Sequence, residues 1–330
     1  MKKVRVLLAG LGPLGQKIAR FAFERECIQV VGAVDPAPDK AGRDLGVVCG
    51  LKPRDIAVAK RLSHVRGLHA DVAILATVSG IRKVAPQVAE LVRQGMHVIS
   101  TCEELSYPWR TAPAVARRLD VLCRRHGKVC LGTGVNPGFL MDFLPCVLSA
   151  PCQRVERVIV RRIQDASSRR IPFQQKIGAG LTLAQFKAKK ATGVLRHVGL
   201  TETMHMIAER LGLSVDRVTE SLEPVIARRR ITSGYAPIEK GMACGVEQIG
   251  RAFSGRLEVI RLEFRAAVGE PEPVDSIAIQ GEPSFISVIP GGINGDIATC
   301  AIILNSIASV LRSEPGLKTM VDIPAVTYSR

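Results

Sequence analysis

Aromatic residues are scarce in this chain. One Trp, three Tyr and nine Phe make up 4% of 330 positions. That is too few for the stacking platform on which a protein grips single-stranded nucleic acid. No apolar run approaches the ~18 residues of a membrane-spanning helix, so no membrane partner is expected. No C-x-x-C pair occurs among nine cysteines, an odd number. A disulfide framework is therefore not expected, and the thiols read as small buried apolar groups. Cys123, His126 and Cys130 come nearest to a metal-ligand cluster but lack a fourth member, so no metal is expected. There is no G-x-S-x-G elbow and no Walker loop, which removes the corresponding hydrolase classes.

Acids are also outnumbered, with 30 Asp and Glu against 46 Lys and Arg and a net charge of +16. A basic balance of this size raises the question of nucleic acid. The arginines, however, come as scattered pairs: Arg117-Arg118, Arg124-Arg125, Arg161-Arg162 and Arg169-Arg170. Only Arg228-Arg229-Arg230 is a longer run. The pattern reads as a solvated basic surface that helps gather an anionic cofactor or substrate, not as a nucleic-acid interface.

Hydrophobic residues supply 47% of the chain, enough for sizeable cores. The start, Met1-Lys2-Lys3-Val4-Arg5-Val6, passes directly into a strand and leaves no room for a secretory signal, so a cytoplasmic protein is expected. The first half alternates strands and helices. Strands are predicted over Val4–Ala9, Ile28–Val34, Asp71–Ala76, His97–Thr101 and Val129–Gly132. Helices are predicted over Leu14–Glu26, Arg82–Gln94 and Ala112–Arg125. Repeated βα units of this length imply an α/β fold, a Rossmann-type doubly wound parallel sheet. After Asn136-Pro137-Gly138 the pattern becomes alternating, with Ile260, Leu262 and Phe264 set against Arg261, Glu263 and Arg265. A second α+β domain with a largely antiparallel sheet follows from this. It should carry a first strand over Val155–Ile163 and a helical insert over Thr182–Leu222. The expected division is a dinucleotide-binding domain over residues 1–137, completed by a C-terminal helix and tail over 296–330. Residues 138–295 form the substrate-binding and dimerisation domain.

Gly10-Leu11-Gly12-Pro13-Leu14-Gly15 is a G-x-G-x-x-G set between a predicted strand and helix. The glycines permit a tight turn, close approach of a pyrophosphate and tight helix packing, with the phosphates at the helix N-terminus. Asp35 ends the next strand, where a carboxylate takes the adenosine ribose hydroxyls. That carboxylate favours NAD, while Lys40 and Arg43 soften the discrimination so that NADP is also accepted. Ligands bind beyond the carboxyl ends of the strands in such sheets. Those ends carry Ala76, Thr77 and Val78, then Thr101 and Cys102, then Asn136, all expected to line the cofactor. Glu103 and Glu104 follow Cys102 and are the carboxylates placed for catalysis, although acids also suit the start of a helix. Arg161 and Arg169 are candidates to hold a substrate carboxylate, with surface positions as the alternative. His197 and His205 fall in the helical insert, where a structural role competes.

Four strings carry a family resemblance: Ser100-Thr-Cys-Glu-Glu-Leu-Ser-Tyr-Pro108, Gly132-Thr-Gly-Val-Asn-Pro-Gly-Phe-Leu-Met-Asp142, Gly295-Asp-Ile-Ala-Thr299 and Pro315-Gly-Leu-Lys-Thr-Met-Val-Asp-Ile-Pro324. With them the chain resembles 2,4-diaminopentanoate dehydrogenase and the native amine dehydrogenases, and its first domain resembles that of dihydrodipicolinate reductases. The resemblance implies NAD(P)-dependent, reversible deamination of a primary amine or diamino acid to a carbonyl and ammonia. It also implies a homodimer built on the second domain's sheet, an amine held by Glu104 with Glu103 as fallback, and a substrate cavity walled by Asn136 and Phe139. No adjacent histidines occur, which departs from the paired-histidine motif of true dihydrodipicolinate reductases. Two other readings stand beside it: an imine or aldehyde reductase of the dihydrodipicolinate reductase or homoserine dehydrogenase type, and a non-catalytic NAD-binding redox sensor.

Overall fold

The computed structural model describes residues 3–65 and 69–329. In chain order the elements begin with β1 (Val4–Ala9), α1 (Pro13–Phe23), β2 (Ile28–Val34), α2 (Leu45–Val48), β3 (Val58–Ala59), β4 (Val72–Leu75), α3 (Ile81–Arg93), β5 (His97–Ser100), α4 (Pro108–Thr111), α5 (Pro113–Arg125) and β6 (Val129–Gly132). Next come α6 (Phe143–Leu148), β7 (Arg154–Asp165), α7 (Ile171–Lys176), α8 (Leu183–Ala191), α9 (Leu200–Leu211), β8 (Arg217–Ile226), β9 (Ile231–Thr232), β10 (Pro237–Ile238), β11 (Ala243–Ser254), β12 (Leu257–Ala267), β13 (Val274–Glu282) and β14 (Phe285–Pro290). The chain closes with α10 (Gly295–Leu311) and β15 (Gly316–Lys318). Among the described residues, no helix is long and apolar enough to cross a membrane.

Two compact units result: Met1–Phe139 with Gly295–Arg330, and Leu140–Asn294. The first holds a parallel sheet ordered β15-β6-β5-β4-β1-β2-β3. Strand order reverses at β1, where β2 departs to one side and β4 to the other. This is the Rossmann-type doubly wound sheet. Both faces are covered, and the central strand β4 is apolar throughout: Val72, Ala73, Ile74 and Leu75 are all buried. Helix α10 packs on α1, β5 and β6, and Cys300, Ile303 and Leu304 are buried along it.

The second unit holds a sheet ordered β14-β13-β7-β12-β11-β8. It is antiparallel except between β7 and β12, which run parallel. One face is apolar and forms a core with α9: Val158, Val160, Ile260, Leu262, Phe264 and Ile277 meet Leu200, Met204 and Ile207. The opposite face carries charge in cross-strand order, with Arg161 paired to Glu263 at 2.7 Å and Arg265 to Glu247 at 3.5 Å. The alternation of apolar and charged residues in β12 is this division of faces.

One expectation is corrected. The helical insert ends at Leu211, and residues predicted helical up to Leu222 enter strand β8. Gly212 takes φ +66° and closes α9 with a left-handed cap, a conformation that glycine adopts without strain. Beyond it, β8 pairs with β11 in an antiparallel register from Arg217 opposite Phe253 to Ile226 opposite Ala243.

Candidate active site

The glycine turn is built by exclusion. Gly10 has φ +89°, and a Cβ there would collide with the Ala76 carbonyl. A Cβ on Gly15 would collide with the carbonyl of Gly10, so α1 can approach β1 only with glycine at that position. At Gly12 the outcome is the opposite: nothing lies within 4 Å of an added Cβ. Two glycines are thus demanded by packing and the middle one faces open space. Helix α1 begins there with Pro13 in its first turn, without a side-chain cap and without an acid in its first turn. Its first N–H groups and the positive end of its dipole are therefore available to an anion. These residues fit a dinucleotide pyrophosphate.

Asp35 follows β2 and is 6% exposed. Its Oδ2 accepts the N–H of Leu11 at 2.7 Å and lies 3.4 Å from Lys40 Nζ, and its Oδ1 accepts the N–H of Ala37 at 2.9 Å. The carboxylate therefore holds the glycine turn in shape and carries its own counter-ion. Arg43 turns elsewhere, donating from Nη1 to the Asp39 carbonyl at 3.0 Å.

The ends of β4 and β5 are tied together. Thr101 donates its N–H to Leu75 O at 3.1 Å. The Cys102 thiol donates to Ser79 O at 3.0 Å, and burial pushes that thiol up to about 12, so it is no nucleophile. Glu104 donates its N–H to Ser79 O at 3.2 Å, while its Oε2 accepts the N–H of Ile81 at 2.8 Å. Glu103–Leu105 is a single 3-10 turn. The Glu104 carboxylate therefore caps α3, the helix that follows the neighbouring strand, and does not serve a helix of its own. Among the described residues its Oε1 has no hydrogen-bond partner. Glu103 is half-buried, and its carbonyl accepts from Ser106 Oγ at 2.7 Å. Of the other cofactor candidates, Ala76 donates its N–H to Ala9 O at 2.8 Å. Thr77 is exposed and hydrogen-bonds through Oγ1 to Gln87 at 2.9 Å, and Val78 is half-buried.

The segment after β6 explains the Gly132–Asp142 string. A Cβ on Gly132 would lie 2.5 Å from the Leu105 carbonyl carbon, and Gly138 (φ +126°) abuts the backbone of Gly134. Val135 donates its N–H to Thr299 Oγ1 at 3.3 Å, which fixes the loop carrying the half-buried Asn136 and Phe139 to α10. The sequence reading missed Thr299 as an anchor. Its signal was present, because Gly295–Thr299 was one of the strings noted.

In the second unit, Arg169 reaches Gln164 Oε1 at 3.1 Å and stacks 4.0 Å over Phe173. Its neighbour in the sequence reading, Arg161, is not with it. Arg161 points to the charged face and pairs with Glu263, because odd and even positions of β7 face opposite ways. Arg162, which the sequence reading passed over, is the buried one. It bonds Asp275 Oδ2 at 2.9 Å and the Ile293 carbonyl at 3.1 Å, and Gln164 reaches the same carbonyl at 3.1 Å. The His197 ring lies 4.4 Å from the Phe264 ring. Burial, reinforced by the nearby cations Lys176 and Arg162, pushes its pKa down to about 3. The His197 ring is therefore neutral. Among the described residues, no group of three or more His, Cys, Asp or Glu is placed to hold a metal ion.

Residues 139–328 match the family model of the 2,4-diaminopentanoate dehydrogenase C-terminal domain. The chain is 30% identical to the 2,4-diaminopentanoate dehydrogenase of Acetoanaerobium sticklandii, over 98% of its own length and 94% of that protein's. It is 22% identical to an amine dehydrogenase of Streptomyces virginiae, covering 97% of this chain and 96% of that one. The amine dehydrogenase structure from Mycobacterium smegmatis superposes with a TM-score of 0.87 at 23% identity, covering 99% of this chain and 97% of the other, and shows the same fold.

Proposed function

The chain belongs to the 2,4-diaminopentanoate dehydrogenase family, and from that membership we infer that it is an NAD(P)-dependent amine dehydrogenase. It is an oxidoreductase acting on CH–NH2 groups. The reaction is the reversible deamination of a primary amine or a diamino acid of the 2,4-diaminopentanoate kind to a carbonyl compound and ammonia. The observation that carries this reading is the end-to-end match at 30% identity. The imine or aldehyde reductase reading and the redox-sensor reading are not favoured beside it.

In the first unit, the cofactor pyrophosphate lies on the Gly10–Gly15 turn and α1, with the adenosine ribose toward Asp35. NAD is the preferred partner, and NADP is accepted because Lys40 stands beside the Asp35 carboxylate. When bound, the nicotinamide supplies the acceptor for a hydride from the amine carbon. The chain's own task is to move protons and steady charge. Glu104, anchored through Oε2, presents Oε1 to the amine, takes a proton from the ammonium form and offsets the cationic charge of the iminium that water then hydrolyses. Glu103 assists from the same turn. Ala76, Thr77, Val78, Thr101, Cys102 and Asn136 line the cofactor, and Phe139 bounds the substrate. In the second unit, Arg169 and His197 are the substrate-side residues.

The second unit also makes the homodimer. What supports this is the edge strand β14, which exposes Ile286 (69%) and Val288 (53%) on the charged face of the sheet beside Ala278 and Ser276. A cytoplasmic setting fits nine unpaired thiols.

The test is a panel of primary amines and amino acids, 2,4-diaminopentanoate included, assayed for NAD and NADP reduction at alkaline pH. Reduction with at least one amine and release of ammonia in equal amount are expected. A panel without any amine-dependent reduction, in protein that still binds NAD, overturns the assignment.

A further inference from the structure

The longest basic run, Arg228-Arg229-Arg230, follows β8 and has no part in the amine chemistry. Elsewhere on this sheet the arginines of the charged face each reach a carboxylate: Arg157 and Arg251 share Glu258, Arg161 and Arg261 share Glu263, and Arg265 meets Glu270 and Glu247. Arg230 likewise pairs with Glu239 at 3.2 Å. Arg228 and Arg229 differ. Both are exposed, and among the described residues neither has an ion-pair or hydrogen-bond partner.

Both residues belong to the lining of a hollow of about 470 Å³ within the second unit. Its walls are mostly apolar, with Val225, Ala227, Ile231, Ala267 and Val268 contributing. The two other charged residues on the wall, Arg265 and Glu270, bond each other at 2.8 Å and offset one another's charge. The Cys244 thiol also lines the hollow. Burial raises its pKa, and it donates to Val225 O at 3.3 Å, so it is wall and not nucleophile.

A preformed hollow of this size, apolar with a few convergent polar groups, has the anatomy of a small-molecule site. Two uncompensated guanidinium groups exclude a cationic occupant and match a planar carboxylate, which they can hold by charge-assisted, bidentate hydrogen bonds. An inorganic anion could meet the same guanidinium groups but gains nothing from the apolar walls, which reward only an occupant with an apolar body. We propose that this hollow binds a small amphiphilic carboxylate, its acyl or aryl body against Val225, Ile231 and Val268 and its carboxylate between Arg228 and Arg229.

The full chain is titrated calorimetrically, without cofactor, using decanoate, decanol and inorganic phosphate as probes. Decanoate should bind with one site per chain, and decanol and phosphate at least tenfold more weakly. The double variant Arg228→Ala/Arg229→Ala should lose tenfold or more in decanoate affinity while its melting temperature and NAD binding stay unchanged. Ile231→Trp, which fills the hollow and keeps both arginines, should abolish decanoate binding in chains that still melt cooperatively. The proposal is overturned if decanoate fails to bind at millimolar concentration, if decanol binds as tightly, or if the double variant binds decanoate like the parent. None of these readouts depends on amine turnover, so failure here and failure of the amine dehydrogenase reading are separable.

Discussion

Glu104 Oε2 accepts the backbone N–H of Ile81 at 2.8 Å, so the acid after one strand caps the helix that follows its neighbour. The bond gives the carboxylate a fixed orientation with one oxygen engaged. Glu104→Gln retains an acceptor for Ile81 and removes the charge. Folding and NAD binding should therefore survive, while amine turnover falls by roughly 10²- to 10⁴-fold, the usual worth of a positioned acid–base group. Glu103→Gln should cost much less. Near-parental turnover in Glu104→Gln, or inactivity in Glu103→Gln instead, would remove Glu104 from the chemistry.

Asp35 shapes the glycine turn, and in the proposed cofactor pose it also sets the charge met by the ribose. Because Lys40 lies 3.4 Å from it, a 2′-phosphate meets a paired carboxylate, not a bare one. Lys40→Met should lower kcat/KM with NADP by an order of magnitude or more and leave the NAD value within a few-fold. Asp35→Asn should shift the ratio the other way, toward NADP. Steady-state kinetics with both cofactors checks this, and an unchanged ratio in both variants means that neither residue reads the ribose.

Much of the first unit was legible in the sequence because buried parallel strands are short apolar runs punctuated by glycine. Val129–Gly132 and Ile28–Val34 fall where their composition puts them. The second unit was harder to read. Strand β11 places Gln248, Gly250 and Ala252 on its inner face, where small residues make room for α9: a Cβ on Gly250 would lie 3.0 Å from the Met204 methyl. A face built of small and polar residues carries no hydrophobic alternation, so that strand gave little signal. The acid pair after β5 was visible as chemistry, but its bond to Ile81 was not. It joins residues 23 apart in sequence that only the sheet brings together.

His97 begins β5, and its Nδ1 accepts the N–H of Val129 at 3.2 Å, which requires the neutral ring. Burial, with Lys128 nearby, pushes its pKa from 6.5 down to about 4. The unfolded chain therefore binds a proton that the folded chain refuses. Stability from this group is fully present above pH 6.5 and is lost as pH falls toward 4. Denaturant unfolding between pH 7 and 4 should show a smaller acid loss in His97→Gln than in the parent. An identical slope in both would show that His97 does not contribute.

Arg162 and Asp275 form an ion pair buried on both sides, 2% and 5% exposed. Removing one partner leaves the other charge without compensation, so Arg162→Met should destabilise the second unit by about 3–5 kcal/mol. The paired replacement Arg162→Met/Asp275→Leu should recover most of that loss. Chemical denaturation followed by circular dichroism distinguishes the two. Equal losses would mean that packing, not charge, decides this site.

The first unit is written in two pieces, with residues 140–294 between them. At roughly 5–20 residues per second, a ribosome spends on the order of ten seconds making that intervening stretch. During that time β6 has no β15 beside it, and the surfaces of α1 and β5 that will bury Cys300, Ile303 and Leu304 face water. The second unit, continuous in sequence, can close while the first waits with its core half-covered. The glycine turn is made before that stretch. The sheet that holds it is completed only when β15 joins β6, so this chain gains its grip on a dinucleotide after its second unit has been made.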